Sequence, residues 1–173
     1  KHIVDKYKKE LNIIFHRNNK NLGFALNAIQ TLKLSKGKYA WLIGNDDLIL
    51  PNTLNDLKKI FKSNEDVDYY FVNSYYLKSD YLKNFSHPFN THELKGKKLE
   101  ALSKFEENKK VNFWEVMDPN VTWEFLVSIF LCIFDRQMWL SGLDCINQKD
   151  IEDTRVWSTF DNTCLNGKVI STV

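Results

Sequence analysis

Two adjacent carboxylates, Asp46 and Asp47, follow Gly44 and Asn45 directly after the apolar run Tyr39-Ala40-Trp41-Leu42-Ile43. Neighbouring like charges repel, so such a pair is costly unless a cation or several N–H donors face it. In an extended segment side chains alternate, which puts Asn45 and Asp47 on one side and Asp46 on the other. One carboxylate and one amide oxygen on a shared side suit a hard cation such as Mg²⁺ or Mn²⁺, held by a few oxygens together with substrate phosphates. The same residues also read as a polar turn with an N-cap ahead of Pro51. The position at a strand end and the preceding glycine favour the ligand site, because open α/β sheets bind ligands beyond the carboxyl ends of their strands.

Other chemistries lack their residues. Cys132, Cys145 and Cys164 are odd in number and far apart, and the histidines at 2, 16, 87 and 92 form no ligand spacing. Neither a zinc site nor a disulfide framework is expected, and a reducing compartment is the default. The six glycines never form Gly-x-x-x-x-Gly-Lys, which leaves a phosphotransferase without its phosphate loop. With 24 Lys+Arg against 22 Asp+Glu, the net charge of +2 lacks the basic field of a nucleic-acid binder. Only Arg17, Arg136 and Arg155 supply guanidinium forks.

The elements that must position the acidic tip alternate. A polar helix ends near Leu11, and Asn12 to Phe15 suits a short strand. From Phe24 the apolar residues Ala25, Leu26, Ile29 and Leu32 fall on one helical stripe, with Gly37 at the C-cap place. Tyr39 to Ile43 reads as a strand covered on both faces. Pro51 opens a helix over Asn52 to Phe61, and Val67 to Tyr76 is the next strand. Strand, helix, strand, helix, strand implies an α/β fold with a mainly parallel, doubly covered sheet. Later, residues 79–90 read as a loop and Leu94 to Asn108 as weakly helical. Phe125 to Phe134 reads as a buried strand of about ten residues, too short to span a membrane. A short helix over Asp135 to Leu143, a helix over Lys149 to Asn166 and a strand at Val169-Ile170 complete the reading. The 173 residues, 43% apolar and 27% charged, are enough for one globular domain.

Asn21-Leu22-Gly23, Asn27, Gly37-Lys38-Tyr39-Ala40-Trp41-Leu42-Ile43-Gly44-Asn45-Asp46-Asp47, Pro51 and Leu54 occur in an order that resembles family 2 glycosyltransferases. The likeness is to bacterial members that build O-antigen, lipooligosaccharide or capsule, and it is strongest over Asn12 to Tyr76. It implies a glycosyltransferase-A type fold, Rossmann-like with helices on both faces of the sheet, over a single domain 1–173. Residues 1–76 would then be part of the nucleotide-sugar half and 77–173 the acceptor side. The likeness begins just ahead of what would be the family's third strand, so the expectation is a chain short of the first strand, helix and second strand. It implies a nucleotide-sugar donor and a glycan or lipid-linked glycan acceptor. Asp47 would be the metal or diphosphate ligand with Asp46 beside it, and Asn21, Gly23, Asn27 and Asn45 would help hold the donor. The cofactor would be Mn²⁺ or Mg²⁺, with Asn45 standing where the family's Asp-x-Asp has its first acid.

On the acceptor side, inverting members use a carboxylate to take the acceptor's proton. The resemblance puts that role on Asp153, with Glu152 second and Asp161 as a substitute, ahead of a Gly167-Lys168 that matches the family's next strand entry. Carboxylates opening a helix are equally what the helix dipole favours. Trp123 and Trp157 lie where an acceptor sugar could stack, although most aromatic rings serve the core. The Lys-rich start, Lys1, Lys6, Lys8, Lys9 and Lys20, could meet anionic headgroups, but the interleaved Asp5 and Glu10 make a solvated helix face the better reading. The expected place of action is the cytoplasm, with the cytoplasmic face of the inner membrane as the narrower alternative. The rival to an enzyme is a non-catalytic nucleotide- or glycan-binding domain of the same fold, which Asn45 favours.

Overall fold

The computed structural model describes residues 2–78, 80, 83, 90–94, 99–103, 105, 107–112 and 129–145. Its elements are α1 (His2–Tyr7), α2 (Gly23–Leu34), β1 (Tyr39–Trp41), α3 (Thr53–Ser63), β2 (Tyr69–Phe71), β3 (Tyr75–Tyr76), β4 (Glu100–Ala101), β5 (Cys132–Asp135) and α4 (Arg136–Gly142). Single 3₁₀ turns span Thr91–Leu94, Ile129–Leu131 and Leu143–Cys145.

The main sheet has the order β1-β5-β2, with β5 antiparallel to both neighbours. β1 and β2 therefore run in the same direction but do not touch. The expected mainly parallel sheet is not seen among the described residues, where every strand pairing is antiparallel. The physical reason is burial. The run Leu131-Cys132-Ile133-Phe134 is at most 3% exposed, and a strand apolar on both faces is best placed centrally, where it is covered from both sides and paired at both edges. The crossover through α3 leaves a gap one strand wide, and β5 fills it.

Both faces of the sheet carry helices, as expected. Cys132 and Phe134 point to one face, where Ala25, Ile29 and Leu32 of α2 and Trp139 of α4 form a core with Ala40. Ile133 points to the other, with Leu57 of α3 and Tyr70. The register pairs Ile133 with Trp41 on one side and Tyr70 on the other, so period-two alternation runs unbroken across three strands. On that second face Tyr39, Phe61 and Tyr70 pack ring on ring, with centroids 4.7 to 5.3 Å apart. The Tyr70 hydroxyl donates to the Asn64 carbonyl at 2.8 Å, and burial raises its pKa.

Three local readings are corrected. Asn12 to Phe15 forms no strand: Ile13 N–H bonds to the Leu11 carbonyl at 2.9 Å, and Ile14 and Phe15 stand about half exposed. An apolar run becomes a strand only where a ladder partner is present. Helix α2 closes at Ser35 instead of Gly37, the Ser35 hydroxyl and amide both turning back onto the last turn. The expected strand Val67 to Tyr76 is split, because the Asn73 amide bonds the Phe105 carbonyl and the Ser103 N–H and sends Tyr75–Tyr76 to pair with β4. In place of the weak helix, the described part of Leu94 to Asn108 holds the last residue of the Thr91–Leu94 3₁₀ turn and β4. No helix among the described residues is long and apolar enough to cross a membrane.

Candidate functional site

β1 ends at Trp41, whose indole N–H donates to the Phe130 carbonyl at 2.7 Å and ties the strand end to the turn that feeds β5. The chain continues through Leu42 and Ile43 and then folds sharply. Asp47 N–H approaches the Gly44 carbonyl at 3.4 Å, and Asp47 Oδ2 accepts from Gly44 N–H at 2.7 Å. The acidic tip is thus a closed turn. This corrects the expected alternation, since a turn reverses the backbone and cancels the period of two. Asp46 Oδ1 and Asp47 Oδ2 would lie 2.7 and 3.0 Å from a Cβ at Gly44. Both carboxylates therefore fold over the same bare Cα, on one side of the turn. Asn45 and Asp46 are exposed and Asp47 half-buried.

Behind the tip, Pro51 does not open the helix as expected. Leu50 to Thr53 is a turn in which Asn52 takes φ 67° and ψ −11° and Thr53 N–H reaches the Leu50 carbonyl at 3.3 Å. Pro at the second position and a left-handed Asn at the third are the type II pattern. The turn sets the entry angle of α3, whose first N–H groups from Asn55 and Asp56 bond the Asn52 carbonyl.

The second sequence-derived group sits at the start of α2. Asn21 Oδ1 accepts from Gly23 N–H at 2.9 Å, and Gly23 has φ 73°, a conformation that favours glycine. Residues 35–38 turn the chain straight back from α2 into β1, and Leu26 and Leu42 pack on the same core. The start of α2 and the end of β1 consequently face the same edge of the sheet. Asn27, one turn into α2, accepts from Asn18 Nδ2 at 2.9 Å, and Asn18 Oδ1 lies 3.0 Å from His16 Nε2. In the sequence residues 17–20 read only as a polar turn; the signal for Asn18 is an amide within reach of the helix it precedes.

Asp46 and Asp47 are brought together by Gly44, and Asn21 and Gly23 by one hydrogen bond. Among the described residues no group of three or more His, Cys, Asp or Glu gathers as a metal site. The turn itself offers two carboxylates, and Mg²⁺ sites commonly use one or two carboxylates and complete the shell with phosphate and water. Trp123, Glu152, Asp153, Trp157 and Asp161 lie outside the described residues, as do the expected helix over Lys149 to Asn166 and the strand at Val169-Ile170.

Residues 1–131 match the family described as glycosyl transferase family 2. Over 76 residues the chain is 32% identical to an uncharacterized glycosyltransferase of Methanocaldococcus jannaschii, covering 43% of this chain and 26% of that protein. Over 67 residues it is 31% identical to an abequosyltransferase of Salmonella typhimurium, covering 38% of this chain and 20% of that one. The matches span only about a quarter and a fifth of these relatives' lengths. No solved structure matches the chain. The family match takes in α2, β1, the acidic turn, α3 and β2, and the chain belongs to glycosyl transferase family 2.

Proposed function

We propose that this chain transfers a sugar from a nucleotide-sugar donor to a glycan or lipid-linked glycan acceptor, with the Asp46–Asp47 turn holding a divalent cation and the donor diphosphate. The observation that supports this most is the convergence of two carboxylates over the bare Cα of Gly44 at a strand end. A side chain there would fill the space the oxygens use. Mn²⁺ or Mg²⁺, when bound, supplies positive charge against the leaving diphosphate. The chain's own part is to position: Asp47 anchors the turn, Asp46 adds the second carboxylate, and Asn21, Gly23, Asn27 and Asn45 shape the donor's surroundings. Asp153 takes the acceptor proton in a single displacement with inversion, Glu152 stands beside it, and Trp123 and Trp157 stack the acceptor. The reaction belongs at the cytoplasmic face of the inner membrane in surface-polysaccharide synthesis, a reading that the likeness to an abequosyltransferase supports.

A second reading, a binding domain of the same fold without turnover, is favoured by one observation: Asn45 replaces the first acid of the family's pattern and removes a negative charge. Calorimetry with UDP-, GDP- and CDP-sugars in Mn²⁺, followed by a donor-hydrolysis assay, separates the two. Mn²⁺-dependent binding with release of nucleoside diphosphate supports the enzyme; binding with no release supports the second reading. Absence of binding to every donor overturns the enzyme and the nucleotide-binding form of the second reading.

A further inference from the structure

The loop ahead of α2 carries three polar side chains in series: His16, Asn18 and Asn27. Asn18 spends its Nδ2 on Asn27 Oδ1, so its own Oδ1 faces His16 as an acceptor and His16 presents Nε2–H. The consequence falls on Asn27. Its Oδ1 is occupied, while its Nδ2 makes no hydrogen bond among the described residues. An unrestrained Asn on a helix surface turns either end of its amide outward. Here Asn18 takes the accepting end and leaves the donating end open.

We propose that Asn18 is a positioning residue for donor recognition: by holding the oxygen of Asn27, it presents the Asn27 Nδ2 hydrogens to the oxygen acceptors of a nucleoside diphosphate. The inference rests on the proposed function, in which Asn27 borders the donor. Diphosphate oxygens are acceptors only, so an amide fixed with its nitrogen outward is matched to them, whereas a rotating amide spends part of its time presenting the wrong end. Asn18 touches no substrate in this scheme; it acts through Asn27.

The test is a double-mutant cycle on the full chain, using Asn18→Leu, Asn27→Ala and the pair, with UDP, GDP and CDP in Mn²⁺ as probes. Thermal unfolding is measured on each variant alongside. Asn18→Leu should weaken binding about fivefold, the scale of one net hydrogen bond, and should weaken it no further once Asn27 is Ala. A role confined to tying down the loop would lower affinity equally in both backgrounds, and that result overturns the inference. So does an unchanged affinity in Asn18→Leu when the wild type binds. A wild type that binds none of the three diphosphates overturns the proposed function, and this inference with it.

Discussion

Asp47 folds back on Gly44, its Oδ2 accepting the glycine N–H at 2.7 Å, and so one carboxylate both closes the turn after β1 and faces outward beside Asp46. The charge and the hydrogen bond can be separated. Asp47→Asn keeps an oxygen for the Gly44 N–H and loses the charge, whereas Asp47→Ala loses both. On this exposed turn a lost hydrogen bond costs about 1 kcal/mol. Asp47→Asn should therefore melt with the wild type while Mn²⁺-dependent nucleotide binding falls at least tenfold. Asp47→Ala should show the same binding loss and a slightly lower melting temperature. Wild-type binding by Asp47→Asn would remove the charge from the role assigned to it.

Gly44 is the complementary half of that relationship. Its backbone is not left-handed, so Ala is tolerated by the chain itself; the conflict is with Asp46 Oδ1 at 2.7 Å and Asp47 Oδ2 at 3.0 Å. Flexible carboxylates can swing away from a methyl group at little cost. Gly44→Ala should change stability by less than about 1 kcal/mol in urea titration yet weaken Mn²⁺-dependent nucleotide binding severalfold. Loss of folding with no selective effect on binding would count against a site role.

The core prediction concerns Ile133. It is 2% exposed, lies between Trp41 and Tyr70 in the ladder and contacts the α3 side of the sheet. Ile133→Ala leaves a cavity in the central strand and should cost about 2–5 kcal/mol by chemical denaturation. Ile133→Val, one methylene smaller, should cost about 1 kcal/mol.

What was legible in the sequence was local. The stripe Ala25, Ile29, Leu32 announced α2, and the apolar run through Phe134 announced a buried strand, because periodicity reports which faces must leave water. The place of that strand was not legible. Whether β5 lies beside β1 and β2 or between them depends on contacts about ninety residues apart, as between Trp41 and Phe130, which no local pattern encodes. The same distinction holds at the site. Asp46 and Asp47 stood out by type and position, but their convergence depends on a turn hydrogen bond that replaces strand alternation. Asn18 and Asn27 are nine residues apart in different elements, and their hydrogen bond arises only when the loop lies on α2.

Asn52 holds the left-handed position behind the tip at φ 67°, where Asn and Gly are tolerated and β-branched residues are not. Asn52→Gly should be close to neutral in thermal unfolding. Asn52→Val should cost about 1–2 kcal/mol and shift the start of α3, which amide hydrogen exchange at Asn55 and Asp56 would register. Equal stability of the two variants would mean that the turn does not need its left-handed residue.

The last prediction is a pH dependence seated in β5. Tyr69 Oη donates to Cys132 Sγ at 2.6 Å inside the first core. Burial pushes the Cys132 thiol from an ordinary 9.0 up to about 11, and burial likewise raises Tyr69 well above 10.0. Both groups are neutral when protonated, so the folded state binds these protons more tightly than the unfolded chain does. The thiol's contribution is fully present below pH 9 and is lost as pH rises from 9 through 11, while that of Tyr69 is fully present below pH 10 and is lost only above it. For the thiol alone, the loss across that window is on the order of 2 kcal/mol. Unfolding free energy measured from pH 8 to 11 should fall steeply in the wild type and less steeply in Cys132→Ala, which lacks this buried thiol. The lower overall stability of Cys132→Ala does not confuse the result, because the comparison is between slopes. Parallel slopes for the two proteins would show that the buried thiol does not titrate with folding.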